Sequence, residues 1–387
     1  MEKRGLVPRL RFPGFEGEWT RAKLHNIGEP SMCKRVLKEE TYSESLGNIP
    51  FYKIGTFGGS ADAYITTSLY ETYKNKYSYP HKGDILISAA GTIGRLVIYD
   101  GSPAYFQDSN IVWINNDESI VLNTFLYYAY QMMQWQTSDG GIVMRLYNTD
   151  LINMAISFPS LEEQQKIASC LSSIDTLISA HTQKLDALKA YKKGLMQQLF
   201  PTEGEKVPRL RFEGFEGEWE EKTLDNLCYD ISSGRNSIRK SDGQYKVYGS
   251  TGIIGYCDKY IYDTPMILVA RVGANAGKIN KAFGQYDVSD NTLMVENKAG
   301  YNFDFAYYQL TTIDLNKLVS GSGQPLLTAG QLKRLIILLP TSKQEQQKIA
   351  SCLSSIDTLI FAQSQKLEDL KSHKKGLMQQ LFPQTNE

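Results

Sequence analysis

What this chain lacks narrows it first. No apolar run approaches the ~18 residues that span a bilayer. The opening residues, MEKRGLVPRLRF, are basic without the apolar stretch of a secretory signal. A cytoplasmic protein with no membrane segment is expected. Histidine is scarce, four residues in all, and neither CxxC nor HExxH occurs, so the ligand spacings of common zinc sites are missing. The five cysteines, Cys33, Cys170, Cys228, Cys257 and Cys352, are odd in number and unpaired in spacing. That argues against a disulfide framework. Nor is there net charge, with 42 basic against 42 acidic residues. A uniformly basic nucleic-acid binder is thereby disfavoured, and any DNA contact has to come from local patches or basic partner chains.

What the chain does have is repetition. Leu161 to Pro201 reads LEEQQKIASCLSSIDTLISAHTQKLDALKAYKKGLMQQLFP, and Lys343 to Pro383 repeats it almost verbatim, shifted by 182 residues. Apolar residues step by four and three along both copies. They are Ile167, Leu171, Ile174, Ile178, Leu185, Leu188, Leu195 and Leu199, then Ile349, Leu353, Ile356, Ile360, Leu367, Leu370, Leu377 and Leu381. This is a coiled-coil seam, too narrow for a globular core. It skips His181 and Lys192 in one copy, Gln363 and Lys374 in the other. Acidic or amide residues open each helix, and Lys192–Lys193 or Lys374–Lys375 stand toward its end, a polarity that suits the helix dipole. About 38 residues at ~1.5 Å rise make a rod of ~57 Å.

A second repeat has a different offset. Val7 to Trp19, VPRLRFPGFEGEW, returns as VPRLRFEGFEGEW at Val207 to Trp219, shifted by 200. Between the repeats lie two variable blocks, roughly 20–159 and 220–340, with little overt identity. Both nevertheless read as mixed α/β. GDILISAAG and RLVIYDG look like strands around a glycine turn, NIVWINN like another strand, and Thr124 to Gln136 like a helix. MILVARVGANAG, SDNTLMVEN and FDFAYYQLTTI lay over them, with Asn291 opposite Asn110. If each block is compact its ends lie close together, so the second long helix runs back beside the first. The expected fold class is α+β: two similar domains separated by a long antiparallel two-helix coiled coil, pseudo-twofold symmetric. The expected divisions are 1–159 (with 7–19), 160–206, 207–340 (with 207–219) and 341–387.

Catalytic motifs are weak. GANAGK, Gly273 to Lys278, is one residue short of a phosphate loop, and Ile279 stands where Ser or Thr is needed; a strand turn fits better. Asp287 or Asp290 with Glu296 and Lys298 could make a magnesium nuclease, but the first block's DSNIVWINN lacks the glutamate and the lysine. The four histidines assemble into no triad. Groups suited to base edges or phosphates are more plentiful. In the first block they are Lys34, Arg35, Lys53, Arg95, Gln107, Asn110, Arg145 and Tyr147. In the second they are Arg235, Asn236, Arg239, Lys240, Arg271, Asn275, Lys278 and Gln324, with the basic glycine loop ISSGRNSIRK foremost. The matching places of Asn110 and Asn291 favour a structural turn there over base reading.

The repeated helices carrying EQQKIASCLSSID and KKGLMQQLFP, the GFEGEW segment, and the GDILISAAGTIG and ILVARVGANAG strands together resemble the specificity subunit of type I restriction–modification systems. The resemblance covers essentially the whole chain. It implies that each variable block is a target recognition domain reading one half of a bipartite DNA sequence. The helices would then set the spacer and dock two modification subunits. Those use S-adenosylmethionine to methylate adenine, and two restriction subunits use ATP and magnesium to translocate and cut. The specificity subunit itself is implied to be non-catalytic, with no cofactor or metal of its own. One departure stands out: SGSGQPLL, which holds Gln324, is matched in the first block by SDGGIVMRL. An autonomous nuclease and a coiled-coil scaffold with no nucleic-acid role are the competing readings.

Overall fold

A computed structural model describes residues 6–45, 47–135, 145–236, 240–319 and 326–383. Arg239 and Gln324 lie outside the described residues. In chain order the first half forms β1 (Thr20–Lys23), β2 (Gly28–Ser31), β3 (Ile49–Tyr52), β4 (Ala63–Ile65), α1 (Thr67–Lys76), β5 (Ile85–Ser88), β6 (Leu96–Ile98), β7 (Tyr105–Phe106), β8 (Ile111–Asn116), α2 (Asn123–Met132), α3 (Asn148–Asn153), β9 (Ala155–Phe158) and α4 (Leu161–Leu199). The second half forms β10 (Glu220–Thr223), α5 (Leu224–Leu227), β11 (Cys228–Ser233), β12 (Tyr245–Gly249), β13 (Gly252–Cys257), β14 (Met266–Ala270), β15 (Ile279–Ala282), β16 (Tyr286–Val288), β17 (Thr292–Asn297), α6 (Phe303–Thr312), α7 (Ala329–Lys333), β18 (Ile336–Leu339) and α8 (Lys343–Leu381). Two compact units result, Met1–Ala180 with Leu367–Glu387, and His181–Lys366. The division falls inside α4 and α8, so each unit owns the start of one long helix and the end of the other.

In the first unit, β2-β8-β5-β6 form an antiparallel sheet, β4-β3-β7 a second sheet with β3 and β7 parallel, and β1-β9 a two-stranded ribbon. Side chains alternate across a strand, and here both faces are buried. Ile85, Ile87, Val112 and Ile114 face α2 and the long helices. Leu86, Ile111 and Trp113 face Phe51, Tyr105 and the α1 residue Tyr70. That is why the central strands β5 and β8 open on unbroken apolar runs, ILI and IVWI. Ile167, Ala168 and Leu171 at the start of α4 share the first of these cores with Met378, Leu381 and Phe382 at the end of α8. Start against end makes the pair antiparallel.

The second unit repeats the plan. Its sheets are β11-β17-β14-β15, β13-β12-β16 and β10-β18. Ile267, Val269, Leu293 and Val295 face α6 and the long helices, where Met196, Leu199 and Phe200 at the end of α4 meet Ile349, Ala350 and Leu353 at the start of α8. Every residue of the expected seam is buried or half-buried.

One expectation about the helix ends fails. Acidic first turns are present, Glu162 and Glu163 in α4 and Glu345 in α8, but neither last turn carries a basic residue. Lys192 and Lys374 stand about two turns upstream, and the dipole's influence fades within one. Their partners are elsewhere. The first-block helix is also shorter than its pattern suggested, ending at Met132.

Candidate functional site

The residues common to both long helices act as clamps within each unit. Glu163 takes the Arg11 guanidinium on both oxygens, Nε at 2.8 Å and Nη2 at 2.7 Å; Glu345 takes Arg211 in the same way, at 2.8 and 2.9 Å. Gln164 accepts the Leu122 N–H at 2.8 Å and donates to the Ile120 and Pro159 carbonyls, at the head of α2. Gln346 accepts the Asn302 N–H at 2.9 Å at the head of α6. Asp175 accepts the Tyr128 hydroxyl at 2.9 Å and Lys374 Nζ at 2.6 Å, while Asp357 accepts the Tyr308 hydroxyl at 2.7 Å and Lys192 Nζ at 2.6 Å. Those two lysines also lie over the Tyr128 and Tyr308 rings, at 5.2 and 4.9 Å. Burial first, and the aspartate acceptor second, raise both phenols above their ordinary pKa. Phe382 meets Phe125 and Trp19; Phe200 meets Phe305 and Trp219. The sequence signal for the clamps was identity between copies, but their partners lie far off along the chain.

The variable parts differ where the frame does not. In the first unit, Arg35, Lys53, Gln107 and Arg145 line one open cleft of about 590 Å³, together with Lys38, Asp108, Ser109 and Asn110. Lys53 Nζ is 2.8 Å from Asp62, and Arg145 Nη2 donates to the Ser109 carbonyl at 3.1 Å. The other first-block candidates lie elsewhere. Lys34 Nζ sits over Tyr77 at 5.3 Å, and the Arg95 guanidinium donates to the Phe57 carbonyl at 2.8 Å. Tyr147 is exposed at the head of α3. Lys38, which the sequence reading passed over, belongs to the cleft, but its exposed loop gave no local signal.

The second unit builds the same corner from other side chains. Ser31 pairs with Trp113 and Ser232 with Met294, while Val112 pairs with Ile87 and Leu293 with Val269. Counted from these ladders, Lys34 and Arg235 hold one equivalent place, Arg35 and Asn236 the next. Arg235 is exposed. Asn236 Nδ2 donates to the buried Asp287 at 2.6 Å, and Lys240 is ion-paired with Asp258. Arg271 Nη1 reaches the Asp290 carbonyl at 3.4 Å. Gly234 precedes this corner because a Cβ there would strike the Val288 and Ser289 carbonyls. Asn275 and Lys278 lie in the turn joining β14 to β15, where Lys278 N–H donates to the Asn275 carbonyl at 2.9 Å. GANAGK is thus a hairpin turn, with Gly273 and Gly277 at positive φ. The Asn110 and Asn291 carbonyls accept from Ala89 and Arg271 at 2.7 and 3.1 Å, one backbone contact made twice.

The nuclease arrangement is not assembled. Asp287 lies on β16 and Glu296 on β17, in separate sheets; Asp290 stands just before β17 and Glu296 near its far end; and Lys298 Nζ donates to the Asn226 carbonyl at 3.1 Å. Among the described residues no group of His, Cys, Asp and Glu is placed to hold a metal ion, and no helix is long and apolar enough to cross a membrane. Burial pushes the Cys33 and Cys228 thiols up to about 12, so both act as small apolar residues.

Residues 16–190 and 216–372 match the family model described as the type I restriction modification DNA specificity domain. A putative type I restriction enzyme specificity subunit of Haemophilus influenzae is 55% identical over 163 residues, which is 42% of each chain. This chain thus matches less than half the length of that relative. The EcoprrI specificity subunit of Escherichia coli is 25% identical over 372 residues, covering 89% of each. The crystal structure of a type I restriction–modification S subunit from M. genitalium superposes with a TM-score of 0.71 at 18% identity, over 98% of this chain and all of that one. The last likeness speaks to fold alone.

Proposed function

This chain belongs to the type I restriction modification DNA specificity family, and on that premise we propose that it is the DNA-recognition subunit of a type I restriction–modification complex. Each variable domain, within 1–159 and 207–340, reads one half of a bipartite, asymmetric target in double-stranded DNA. The long helices, within 160–206 and 341–387, set the spacer between the halves. They also dock two modification subunits and, through them, two restriction subunits. The chain recognises and does no chemistry. Adenine methylation with S-adenosylmethionine, and ATP- and magnesium-driven translocation and cleavage, belong to the partner subunits. The complex works in the cytoplasm.

One observation carries this reading: the two units repeat their frame contact for contact, yet place unlike side chains at equivalent corners. Arg35 against Asn236 is the sharpest pair. Phosphate contacts fix register and base-edge contacts specify, so a shared frame with different corners suits two different half-sites on one target. In the first unit Arg35, Lys53, Gln107 and Arg145 supply the contacts. In the second, Arg235, Asn236, Lys240, Arg271 and Lys278 do.

The test is to express the chain with its modification partners and map methylated adenines by long-read sequencing. Exchanging the block at 220–340 for that of another family member should change one half-site and leave the other, and the spacer, alone. Matched insertions in both long helices should change the spacer only. Half-site sequences that changed with the helix insertion would overturn the division of labour.

A further inference from the structure

One side chain in the first unit's cleft has its orientation fixed. Gln107 follows β7. Its N–H donates to the Tyr52 carbonyl at 2.9 Å, and its own carbonyl accepts the Ile111 N–H at 3.1 Å. The side-chain Oε1 accepts the Ile54 N–H at 2.9 Å. A backbone N–H only donates, so chemistry decides which end of the amide is oxygen. Nε2 then remains a free donor among the described residues. Around it stand Arg35, Lys38, Lys53 and Arg145 with the carboxylate of Asp108, and Lys53 is itself paired with Asp62 at 2.8 Å, so the cleft is cationic on balance.

Building on the recognition reading above, we infer that Gln107 is a specificity-determining residue that reads one hydrogen-bond acceptor on a major-groove base edge of the first half-site. Guanine offers N7 and O6, adenine N7, and thymine O4, whereas cytosine presents its N4 donor there. A donor set against a donor leaves both unpaired, so cytosine is excluded at that position on the strand read. The Ile54 N–H takes one lone pair of Oε1 and fixes that end of the amide against the backbone, so Nε2 is the end offered to the groove. Arg35, Lys38 and Arg145 hold the flanking phosphates in register. The second unit lacks the device. Ser289 N–H donates to the Tyr248 carbonyl at 2.8 Å, as Gln107 N–H does to Tyr52, but its side chain is short and buried.

The test maps methylation by the full complex carrying wild-type chain, Gln107→Glu or Gln107→Met. Glutamate keeps one oxygen for Ile54 and turns the free end into an acceptor. One position of the first half-site should then shift toward cytosine or adenine, whose exocyclic amines donate, with the second half-site and spacer unchanged. Methionine keeps the volume but loses both the donor and the acceptor that the Ile54 N–H uses, so Gln107→Glu, which keeps that acceptor, is the decisive arm. Methylation of the original site should fall roughly ten- to hundredfold as that position loses its selectivity. A variant that assembles and methylates the original motif at the original rate overturns the inference. A wild-type complex without a bipartite motif would instead overturn the recognition reading. If neither variant assembles, the wild-type complex is assayed on targets whose first half-site carries analogues lacking one acceptor, namely 7-deazapurines, 2-aminopurine or 5-methyl-2-pyrimidinone. One position must respond to loss of an acceptor alone, and a scan with no such position refutes the assignment.

Discussion

The first unit packs its outer sheet on a core that includes Phe51, Phe57, Ile65, Tyr70, Tyr105 and Trp113, roofed by α1. The second unit packs the corresponding sheet on Met266, Leu268, Ala282, Tyr286, Val288 and Met294, and no helix forms between β13 and β14. Turned toward the long helices, the same two units are nearly interchangeable. Arg11 and Arg211, Gln164 and Gln346, Tyr128 and Tyr308, Phe382 and Phe200 make the same contacts twice. The difference shows what each face needs. A face that meets one fixed partner helix requires particular donors at particular places. A lobe that only has to hold a corner in space requires volume, and many sequences supply volume.

Alkali should produce the largest effect and separate the lobes. Burial raises Tyr105, Tyr128 and Tyr130 in the first unit and Tyr286, Tyr301 and Tyr308 in the second. Tyr79 and Tyr99, also raised, share a hydroxyl contact of 2.7 Å in the first unit alone. Unfolded tyrosines ionise near pH 10 while these stay protonated. The buried Cys33 and Cys228 thiols, one in each unit, begin the loss of stability near pH 9, and the phenols continue it above about pH 10, by at most about 1.4 kcal/mol per pH unit for each buried group. The first unit should fail at the lower pH. Fluorine NMR of 5-fluorotryptophan protein would read Trp19 and Trp113 against Trp219; simultaneous loss, or earlier loss at Trp219, would contradict the ranking.

Next come two paired substitutions that should behave alike in both units. Phe382→Ala and Phe200→Ala each empty a slot between a tryptophan and a phenylalanine, at a cost of about 3–5 kcal/mol. Arg11→Ala and Arg211→Ala each strand a buried glutamate, Glu163 or Glu345, at a cost of about 3 kcal/mol. Calorimetry on each pair should agree within roughly 1 kcal/mol, the scatter expected between equivalent sites. A larger gap would mean that the clamps, despite their matching geometry, are not energetically equivalent.

How much of this could be read from sequence follows from the same contrast. The long helices and their seam were legible because helical periodicity is local and the repeat displayed it twice. What Glu163, Gln164 and Asp175 do was not. Their partners Arg11, Leu122 and Tyr128 come from other segments, and no pattern joins them. The cleft was half-legible. Arg35, Lys53, Gln107 and Arg145 were recognisable as groups suited to DNA, but their convergence depends on β3 pairing in parallel with β7. The lysines at 192 and 374 looked like breaks in a seam and proved to be ion-paired. α1 had no strong periodic stripe and went unread.

The smallest effect concerns a place where equivalent positions of the two long helices meet. Gln363 Nε2 donates to the His181 carbonyl at 2.8 Å and stands 2.7 Å from His181 Nδ1. Because the carbonyl can only accept, Nε2 is the nitrogen end, and Nδ1 serves as acceptor with the ring proton on Nε2 of the histidine. A polar pair in an apolar seam trades stability for register. Gln363→Leu alone leaves Nδ1 and the carbonyl short of a donor and should cost about 1 kcal/mol. The double change, His181→Leu with Gln363→Leu, removes the polar side chains together and should recover that loss or exceed it by up to about 1 kcal/mol. If the pair sets register, the stabler double variant should blur the spacer in methylation maps while both half-sites stay sharp. A double variant that is stabler and keeps a single spacer length would show that the seam leucines alone hold the register.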